Sequence, residues 1–391
     1  MSIYQYMKEV LMNPISGYYM KHEVFGVKGD FITSPEISQM FGELIGIWFV
    51  YQWQNLGKPK DVRIVEFGPG RGTLLDDMIR ALQNFHECYN SISGIHLIEA
   101  SPRLREVQRE KLNPYIIKNN ENREKNDLQE SLTNTTYTVN AKKQAIQAGL
   151  NFYWHDAFED VPDGWSMIIA HEFFDALPVY WFELTEKGWS ELMIDIDETD
   201  QSPYHFRVII SPKRTPSLFI LRTHLNNYNN NGNENLYKIG DRIEIAPDAW
   251  RVANQIAKSV NKNCGSSLII DYGKNFVQGN TLRAIKQHKF VDLISRPGEA
   301  DLSADVNFKL LNDACKGLVD TFGPITQAHF LHSMGISFRL KMLLEKTPPS
   351  RHQDLILSYK RLIDPIGMGN VYQVLAITPK STPNPPAGGF Q

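Results

Sequence analysis

Cysteines are few in this sequence, long apolar runs are missing, and neither sign of charge dominates. The three cysteines, Cys88, Cys264 and Cys315, lie far apart and form no CxxC pair. This spacing argues against a zinc cluster or a disulfide framework and indicates a reducing compartment. Because no apolar run approaches the roughly 20 residues that cross a bilayer, we expect no membrane span. The formal net charge of -3 gives no general attraction to nucleic acid, and we expect none as a partner.

The composition is that of an ordinary soluble globular protein. With 42% hydrophobic and 22% charged residues, a chain of 391 residues can build one large core with additions, or two domains. Residues 1–11 have neither the apolar core of a secretory signal nor the arginine-rich character of an organellar presequence. We therefore expect no targeting segment in them.

Strand and helix patterns alternate through much of the chain. Residues 62–67 read as a buried strand, followed by a glycine turn and a helix over 73–85. Residues 95–99 read as a second strand, followed by a helix over 103–112. Such repeated strand-helix units predict a parallel sheet with right-handed crossovers. Further strands of this sheet are predicted at 151–155, 166–170, 267–271 and 371–377. The fold class is therefore α/β and Rossmann-like.

Other segments are predicted to surround this core. One amphipathic helix is predicted from Ser34 to Trp48, with Ser34 as its N-cap and Pro35 at its first position. A β-rich stretch between the fourth and fifth strands predicts an inserted subdomain, and two polar stretches, 113–147 and 226–235, predict a surface insertion and a disordered loop. The predicted organisation is an N-terminal helical cover (1–60), a core (61–178 and 261–391) with the 113–147 insertion, and a β-rich substrate or partner subdomain (179–260).

The turn after the first strand carries an acid and three glycines, Glu66-Phe67-Gly68-Pro69-Gly70-Arg71-Gly72. Glycines at alternate positions let the backbone approach a ligand, and the following helix offers free N–H groups. A dinucleotide fingerprint has its third glycine one residue later, and Glu66 would repel a pyrophosphate. The acid suits a ligand with a cationic amino-acid end and no phosphates. The pattern therefore predicts binding of S-adenosylmethionine, with a plain glycine turn as the structural alternative.

Acids also follow the next two predicted strands. Glu99 ends the second strand and is placed to accept hydrogen bonds from both ribose hydroxyls. Asp156 follows the third strand, beside Ala157 and Phe158, and is placed to accept from an adenine amino group while an apolar residue covers the ring. For Asp156 alone, a helix N-cap is an equal interpretation. The joint occurrence of these acids with the glycine turn favours a methyltransferase.

A carboxylate pair follows the fourth predicted strand, in His171-Glu172-Phe173-Phe174-Asp175-Ala176-Leu177-Pro178. Nucleic-acid amino-methyltransferases carry an Asn/Asp/Ser-Pro-Pro-aromatic run here, which this chain lacks. Glu172 and Asp175 instead suit a cationic acceptor such as arginine, whose guanidinium pairs with carboxylates in a bidentate manner. We predict that they are the catalytic carboxylates, against the alternative that they cap the following turn. His171 has no convincing further metal ligands nearby, and no metal is predicted.

Several longer stretches resemble the MidA family, mitochondrial and bacterial proteins associated with assembly of respiratory complex I. They are Gly29-Asp30-Phe31-Ile32-Thr33-Ser34-Pro35-Glu36-Ile37-Ser38, the glycine turn, Glu172 to Pro178, Ile270-Asp271-Tyr272-Gly273, and the run from Thr281 to Phe308 that contains Gly298-Glu299-Ala300-Asp301-Leu302-Ser303-Ala304-Asp305-Val306. The last run is the most specific, because no generic methyltransferase needs it.

This resemblance implies a mitochondrial matrix enzyme that methylates an arginine on a core complex I subunit of the quinone-reducing arm. It implies a class I methyltransferase fold. It also implies that the cofactor pocket includes Thr33, Ser34, Gly68, Gly70, Glu99 and Asp156. From the glycine turn we add Glu66 and Gly72 to this pocket, and from the end of the third strand we add Ala157. The chain departs from the usual arginine methyltransferases, which carry two glutamates on one loop after the fourth strand. Here Glu172 has Asp175 as its close partner, and Glu183 lies on a predicted strand.

Two other classes of function compete with this interpretation. An assembly chaperone would bind its client through the β-rich insertion and keep the cofactor site for stability or regulation. A nicotinamide or flavin oxidoreductase is disfavoured by the glycine spacing and by Glu66. The chaperone and the enzyme differ in whether replacement of Glu172 or Asp175 abolishes function while cofactor affinity is kept.

Overall fold

A computed structural model of the chain describes residues 1–21, 32–116, 149–199, 203–228, 237–380, 382 and 385–390. The greater part of the predicted 113–147 insertion, most of the predicted 226–235 loop and Gly29 to Phe31 lie outside the described residues. Of the first stretch, Asn113–Tyr115 form one 3-10 turn, and of the second, residues 226–228 end a helix.

Helices and strands alternate over much of the chain, as the sequence predicts, and runs of consecutive helices or consecutive strands interrupt the alternation. The helices are α1 (Ile3–Met12), α2 (Tyr18–Lys21), α3 (Ser34–Ile37), α4 (Gln39–Asn55), α5 (Thr73–Leu82), α6 (His86–Asn90), α7 (Pro102–Leu112), α8 (Leu218–Tyr228), α9 (Pro247–Asn263), α10 (Phe308–Cys315), α11 (Gln327–Ser333), α12 (Ile336–Lys346), α13 (His352–Ile363) and α14 (Met368–Val371). The strands are β1 (Val62–Phe67), β2 (Ile92–Ile98), β3 (Phe152–His155), β4 (Ser166–His171), β5 (Tyr180–Thr185), β6 (Gly188–Ile196), β7 (Phe206–Ile210), β8 (Arg242–Ile245), β9 (Gly265–Lys274), β10 (Arg283–Lys286), β11 (Lys289–Val291), β12 (Asp301–Ser303), β13 (Val306–Asn307), β14 (Asp320–Thr326) and β15 (Tyr372–Thr378).

The residues form two compact units. The smaller unit comprises Met1–Phe31, Phe174–Ala253 and Gly273–Ala314, and the larger unit comprises Ile32–Phe173, Asn254–Tyr272 and Cys315–Gln391. The domain boundaries that the sequence predicts at residues 60, 178 and 260 are not tested by this division into two units and stay predictions.

One sheet organises the larger unit, with strands in the order β14-β15-β9-β4-β1-β2-β3. Strands β3, β2, β1, β4 and β9 run parallel to one another. Strand β15 is antiparallel to both of its neighbours, β9 and β14. This arrangement confirms the predicted α/β class with a parallel sheet. Since chain order reverses between β1 and β4, the carboxyl ends of these strands flank the switch point where such sheets bind ligands.

The central strands are buried, and four of the six residues in each of β1 and β4 are apolar. Every residue of β4 is buried, and β1 exposes only Arg63 in part, as expected for parallel strands that helices cover on both faces. Helix α4 lies close to α5 through Gly42, where an added Cβ would stand 2.5 Å from Cβ of Asp77. This close approach packs α5, which follows the glycine turn, tightly against α4.

The smaller unit contains two antiparallel sheets. One has the strand order β7-β6-β5-β8 and the other β11-β10-β12. Helix α1 contributes Ile3, Met7 and Leu11 to a core that also includes Leu192 and Leu302. Strands β5, β6, β7 and β8 lie in the stretch that the sequence predicts to be β-rich.

The single helix predicted from Ser34 is wrong. The chain forms α3 and α4 instead, separated by Ser38 in an extended conformation (φ -160°, ψ 135°). The hydroxyl of Ser38 accepts a hydrogen bond from the N–H of Met40 (3.2 Å) and so caps α4. The N-cap of α3 is Thr33, and Ser34 is its first residue. Apolar residues keep a helical spacing on both sides of Ser38, so the sequence predicted one continuous helix. The capping role of Ser38 was missed.

Candidate active site

The glycine turn between β1 and α5 has the backbone that its composition predicts. Gly68, Gly70 and Gly72 have φ values of 56°, 54° and 79°, in the left-handed region that glycine adopts without steric cost. The N–H of Gly68 donates to the carbonyl of Ile98 (3.0 Å), which joins the turn to β2. Gly72 is the N-cap of α5, so the first N–H groups of that helix face the same end of the sheet.

Glu66 lies in the middle of the sheet, 2% exposed on β1. Its Oε2 is buried and has no hydrogen-bond partner among the described residues. Burial raises the pKa of Glu66 from 4.5 to about 8. A buried acceptor without a donor is rare in native proteins and calls for a ligand, an ion or a water. A cationic amino group would satisfy the carboxylate and hold it ionised, so the residue fits the amino-acid end of S-adenosylmethionine.

The raised pKa of Glu66 predicts a pH dependence of stability. Because the pKa in the folded chain exceeds its ordinary value, the folded state holds the proton more tightly. The contribution of protonated Glu66 to the free energy of unfolding is fully present below about pH 4.5 and is lost as pH rises through about 8. The Glu66→Gln side chain is neutral at every pH. Between pH 5 and 9, the free energy of unfolding of this variant should therefore rise relative to that of the ligand-free wild type by up to about 4 kcal/mol. Thermal melts across this range test it, and parallel curves for the two proteins would refute it.

Gln108 on α7 connects the glycine turn, β2 and β3. Its Nε2 donates to the carbonyl of Gly70 (2.8 Å) and to Oε2 of Glu99 (3.1 Å). Its Oε1 accepts from Nε1 of Trp154 on β3 (2.8 Å). The side chain is fully buried. The sequence interpretation missed this residue, although an amide on the inner face of the helix after β2 was a usable signal.

Removing the Gln108 amide is expected to destabilise the chain and weaken cofactor binding. Gln108→Met preserves the length of the side chain but leaves the indole of Trp154 and the carbonyl of Gly70 without their partners, at a cost of roughly 2–3 kcal/mol. Gln52 is the matched control, because it is equally buried and neither of its amide atoms has a partner among the described residues. Gln52→Met should be neutral or stabilising in chemical unfolding. Equal losses in both variants would show that the network contributes nothing.

Glu99 lies just beyond β2, where the sequence places a ribose acceptor. Its Oε1 accepts from the N–H of Ser101 (2.8 Å), and its backbone carbonyl accepts from Nε of Arg105 (2.6 Å). Burial raises the pKa of Glu99 to about 7, although the hydrogen bonds from Ser101 and Gln108 and the charge of Arg105 act to lower it. A carboxylate has about four acceptor positions, so the two oxygens keep capacity for further donors such as hydroxyls.

Asp156 and Ala157 follow β3 in the larger unit. Asp156 is an exposed carboxylate, 2.5 Å from Nη2 of Arg105. Ala157 is the N-cap of a short 3-10 turn, Phe158–Asp160. The ring of Phe158 lies 5.2 Å from that of Phe67 at the end of β1. Arg105 therefore links the loops after β2 and β3, and the role of Asp156 toward an adenine stays a prediction.

Thr33 and Ser34 begin α3 in the larger unit. Ser34 is fully buried, with Oγ 3.4 Å from Oε1 of Gln327. Glu36, in the first turn of α3, accepts a hydrogen bond from the hydroxyl of Thr73 (2.6 Å), the first residue of α5. This contact holds the start of α3 beside the glycine turn. It is consistent with the predicted cover over the cofactor without testing it.

Glu172 follows β4 in a strained backbone conformation, with φ of 49°. A non-glycine residue in this region costs roughly 1–3 kcal/mol, and such residues concentrate at functional sites. Its N–H donates to the carbonyl of Ile270 on β9 (3.0 Å). Oε1 lies 3.4 Å from Nε2 of His171, whose pKa burial lowers to about 3, so that the ring is neutral.

Asp271 on β9 anchors the backbone beside Glu172. It is fully buried and accepts hydrogen bonds from the N–H groups of Phe173 (3.2 Å) and Tyr272 (3.0 Å). These bonds hold the backbone that follows Glu172 against the end of β9. Phe173 also adjoins the glycine turn, because an added Cβ at Gly68 would lie 3.2 Å from its Cδ2.

Asp175, the second predicted catalytic carboxylate, belongs to the smaller unit. It is 8% exposed, and its backbone carbonyl accepts from the N–H of Ala304 (3.0 Å), directly after β12. Tyr19 donates to Oδ1 of Asp301 (2.9 Å), and burial together with the charges of Asp301 and Asp175 holds the pKa of Tyr19 well above its usual range. The MidA-like run that contains Asp301 is thus part of the surroundings of Asp175.

Two features are absent from the described ranges. Within them, no helix has the length and apolarity that crossing a bilayer requires. The same ranges contain no cluster of three or more His, Cys, Asp or Glu side chains able to hold a metal ion.

Comparison with known proteins decides the family. A family model described as "Putative S-adenosyl-L-methionine-dependent methyltransferase" matches residues 44–325. Proteins named protein arginine methyltransferase NDUFAF7, mitochondrial, are 37% identical in Xenopus tropicalis, with 100% of this chain and 85% of that protein covered, and 37% identical in Homo sapiens, with 97% and 80% covered. This chain belongs to the MidA family of S-adenosylmethionine-dependent methyltransferases.

A crystal structure supports the fold of this MidA-family chain. A "likely methyl transferase" from Burkholderia thailandensis, solved with bound S-adenosyl-homocysteine, superposes with a TM-score of 0.75 at 22% identity, with 100% of this chain and 90% of that chain covered. The predicted class I methyltransferase fold, the family and the cofactor class are confirmed. The individual site residues stay predictions that the geometry above supports to different degrees.

Proposed function

We propose that this chain is an S-adenosylmethionine-dependent protein arginine methyltransferase. The observation that carries the proposal is the acidic turn after β4, with Glu172 held at positive φ and Asp175 three residues later, in a chain whose full-length relatives bear that enzyme name. A guanidinium group pairs with a carboxylate through two parallel hydrogen bonds, so acids at this position can bind an arginine acceptor.

The cofactor residues proposed are those gathered at the carboxyl ends of β1, β2 and β3. Glu66 takes the amino group, Glu99 the ribose hydroxyls, and Asp156 with Ala157 the adenine, while Gly68, Gly70 and Gly72 let the backbone approach and Thr33 and Ser34 cover the site. When bound, S-adenosylmethionine supplies a methyl group on a sulfonium, activated for displacement. The partnerless Oε2 of Glu66 is the feature that most directly fits this ligand.

The acceptor side has to orient a cation and remove a proton. We propose that Glu172 and Asp175 each act on the guanidinium, since orienting an acceptor lowers the entropic part of a barrier. Transfer would break the bond between the methyl carbon and the sulfonium sulfur, form a bond from that carbon to an arginine nitrogen, release S-adenosylhomocysteine and free a proton from that nitrogen. An arginine keeps its proton until the bond is made, so a carboxylate accepts it late. The neutral ring of His171 supports Glu172 without adding positive charge.

The client proposed is a core complex I subunit of the quinone-reducing arm, methylated during assembly in the mitochondrial matrix. The relatives named above are designated mitochondrial, and the MidA-like run from Thr281 to Phe308 distinguishes this chain from generic methyltransferases. We assign client contact to the β-rich subdomain of residues 179–260.

Methyl transfer to an isolated complex I assembly intermediate tests this function. The purified full-length chain is incubated with isotopically methyl-labelled S-adenosylmethionine and the intermediate from cells lacking the enzyme, and tryptic peptides are sequenced by mass spectrometry. We expect labelled methylarginine in one core subunit. Label on lysine or on nucleic acid would overturn the arginine assignment. Restored assembly without any label, matched by a Glu172→Gln variant, would favour the assembly chaperone instead.

A further inference from the structure

Strand β7 forms an open edge of the sheet β7-β6-β5-β8 in the smaller unit. It pairs with β6 in antiparallel register, Val208 opposite Ile194 and Ile210 opposite Leu192. No other strand of the described residues pairs with it. An edge of this kind presents unpaired N–H and C=O groups to any extended chain that approaches.

Hydrogen bonds on β6 show which residues of β7 face outward. The N–H of Ile194 donates to the carbonyl of Met1 (2.9 Å), on the side of β6 away from β7. The N–H of Asp197 donates to the carbonyl of His205, and the N–H of Ser211 donates to the carbonyl of Glu191. The backbone groups of these pairs therefore point from one strand toward the other. Since the direction alternates along antiparallel strands, Phe206, Val208 and Ile210 direct their N–H and C=O groups outward.

The side chains of these outward-facing residues continue an apolar surface. Leu192 and Ile194, opposite Ile210 and Val208, are 3% and 4% exposed in the core of the unit. Val208 and Ile210 lie on the same face but are 40% and 44% exposed. Proteins ordinarily protect an open edge with a central lysine, a proline or a bulge. Here Pro212 comes only after the strand has ended.

The charge of the edge is one-sided. Residues 205–214 contain Arg207, Lys213 and Arg214 and no acid, in a chain whose net charge is -3. Arg207 pairs with Asp195 (3.2 Å). Neither Lys213 nor Arg214 pairs with an acid in the part of the chain that the structure describes. A partner on this edge would gain from carboxylates near the carboxyl end of β7.

We propose that the β7 edge is the docking strand for an extended, acidic segment of the client protein. The segment adds beside β7, exchanges backbone hydrogen bonds with Phe206, Val208 and Ile210, covers the apolar side chains of the last two, and places carboxylates near Lys213 and Arg214. The inference rests on the proposed function in one respect, that the methyl acceptor is a protein.

A proline at position 208 tests the backbone part of this proposal. Val208→Pro removes an outward N–H and leaves the inward bonds of Arg207 and Ile209 to β6, a position where edge strands tolerate proline. The probe is a short labelled peptide of alternating valine and threonine with glutamates at both ends. We expect the full-length chain to bind it and Val208→Pro to weaken binding about tenfold or more in fluorescence anisotropy, the effect of losing roughly one hydrogen bond and its neighbours. Val208→Lys, which keeps the backbone donor but places charge on the apolar face, should act in the same direction.

The controls separate this proposal from general stickiness and from the proposed function. Ile366→Lys removes an apolar side chain that is 94% exposed in the larger unit and should leave peptide binding unchanged. Affinity for S-adenosyl-homocysteine, measured on each variant, reports the fold and the cofactor site independently of docking. Failure of the wild-type chain to bind the peptide, or equal binding by Val208→Pro, would overturn the docking strand even if arginine methylation is observed. Dimerisation of the wild type that Val208→Pro abolishes would assign the edge to a second copy and would also overturn it.

Discussion

Glu172→Gln is expected to lower the rate of methyl transfer by about 10²- to 10⁴-fold and to leave affinity for S-adenosyl-homocysteine within about twofold of wild type. Glutamine preserves the shape of the side chain and the strained backbone at φ 49°. It removes the negative charge that orients the guanidinium and the base that accepts its proton. Single-turnover transfer and calorimetric titration of the same preparation measure the two effects.

Asp175→Asn is expected to behave in the same way if both acids act on the acceptor. Glu183→Gln is the matched control. Glu183 lies on β5 and pairs with Nε of Arg242 at 2.7 Å, an ion pair within the smaller unit. The rate should be unchanged in Glu183→Gln after correction for folded protein. A Glu172→Gln enzyme that retains the wild-type rate would remove the acidic pair from the mechanism.

Gly70→Val is expected to weaken binding of S-adenosyl-homocysteine by roughly 100-fold or more. Gly70 has φ of 54°, a region that a β-branched residue adopts only under strain, and its carbonyl receives the amide of Gln108. Valine would therefore displace the turn from the end of β1 and break its connection to Glu99. Calorimetric titration measures the loss, and circular dichroism shows whether the fold is retained.

Gly57→Val is the matched control for strain. Gly57 has φ of 91°, and an added Cβ there meets nothing within 4 Å. This variant should lose stability by a comparable amount and keep its cofactor affinity. If Gly57→Val and Gly70→Val weaken binding equally, the effect comes from general destabilisation and the turn has no special role.

The parallel core was predictable because its signals are local. Apolar runs at Val62–Phe67 and Ser166–His171, each bounded by turn residues, coincide with β1 and β4. The strands β10, β11 and β12 were not predicted, since they are only three or four residues long and too short to show a clear alternation of apolar and polar residues. Their stability depends on tertiary contacts that periodicity does not report.

The site was predictable where chemistry follows strand ends and less so elsewhere. Glu66, Glu99 and Glu172 could be proposed from the sequence because the carboxyl ends of parallel strands share one edge of the sheet. Gln108 was missed, since its importance comes from three partners on three other elements. The contact between Arg105 and Asp156 was also invisible in the sequence, because it joins loops after different strands.

The measurement that tests the central claim most directly is calorimetric titration of the purified full-length chain, stripped of any co-purified ligand, with S-adenosyl-homocysteine and in parallel with NADH. We predict saturable one-to-one binding of S-adenosyl-homocysteine, abolished in Gly70→Val and kept in Gly57→Val, and no binding of NADH. Absence of S-adenosyl-homocysteine binding, or preferential binding of NADH, would contradict the assignment of the glycine turn to S-adenosylmethionine and with it the methyltransferase function.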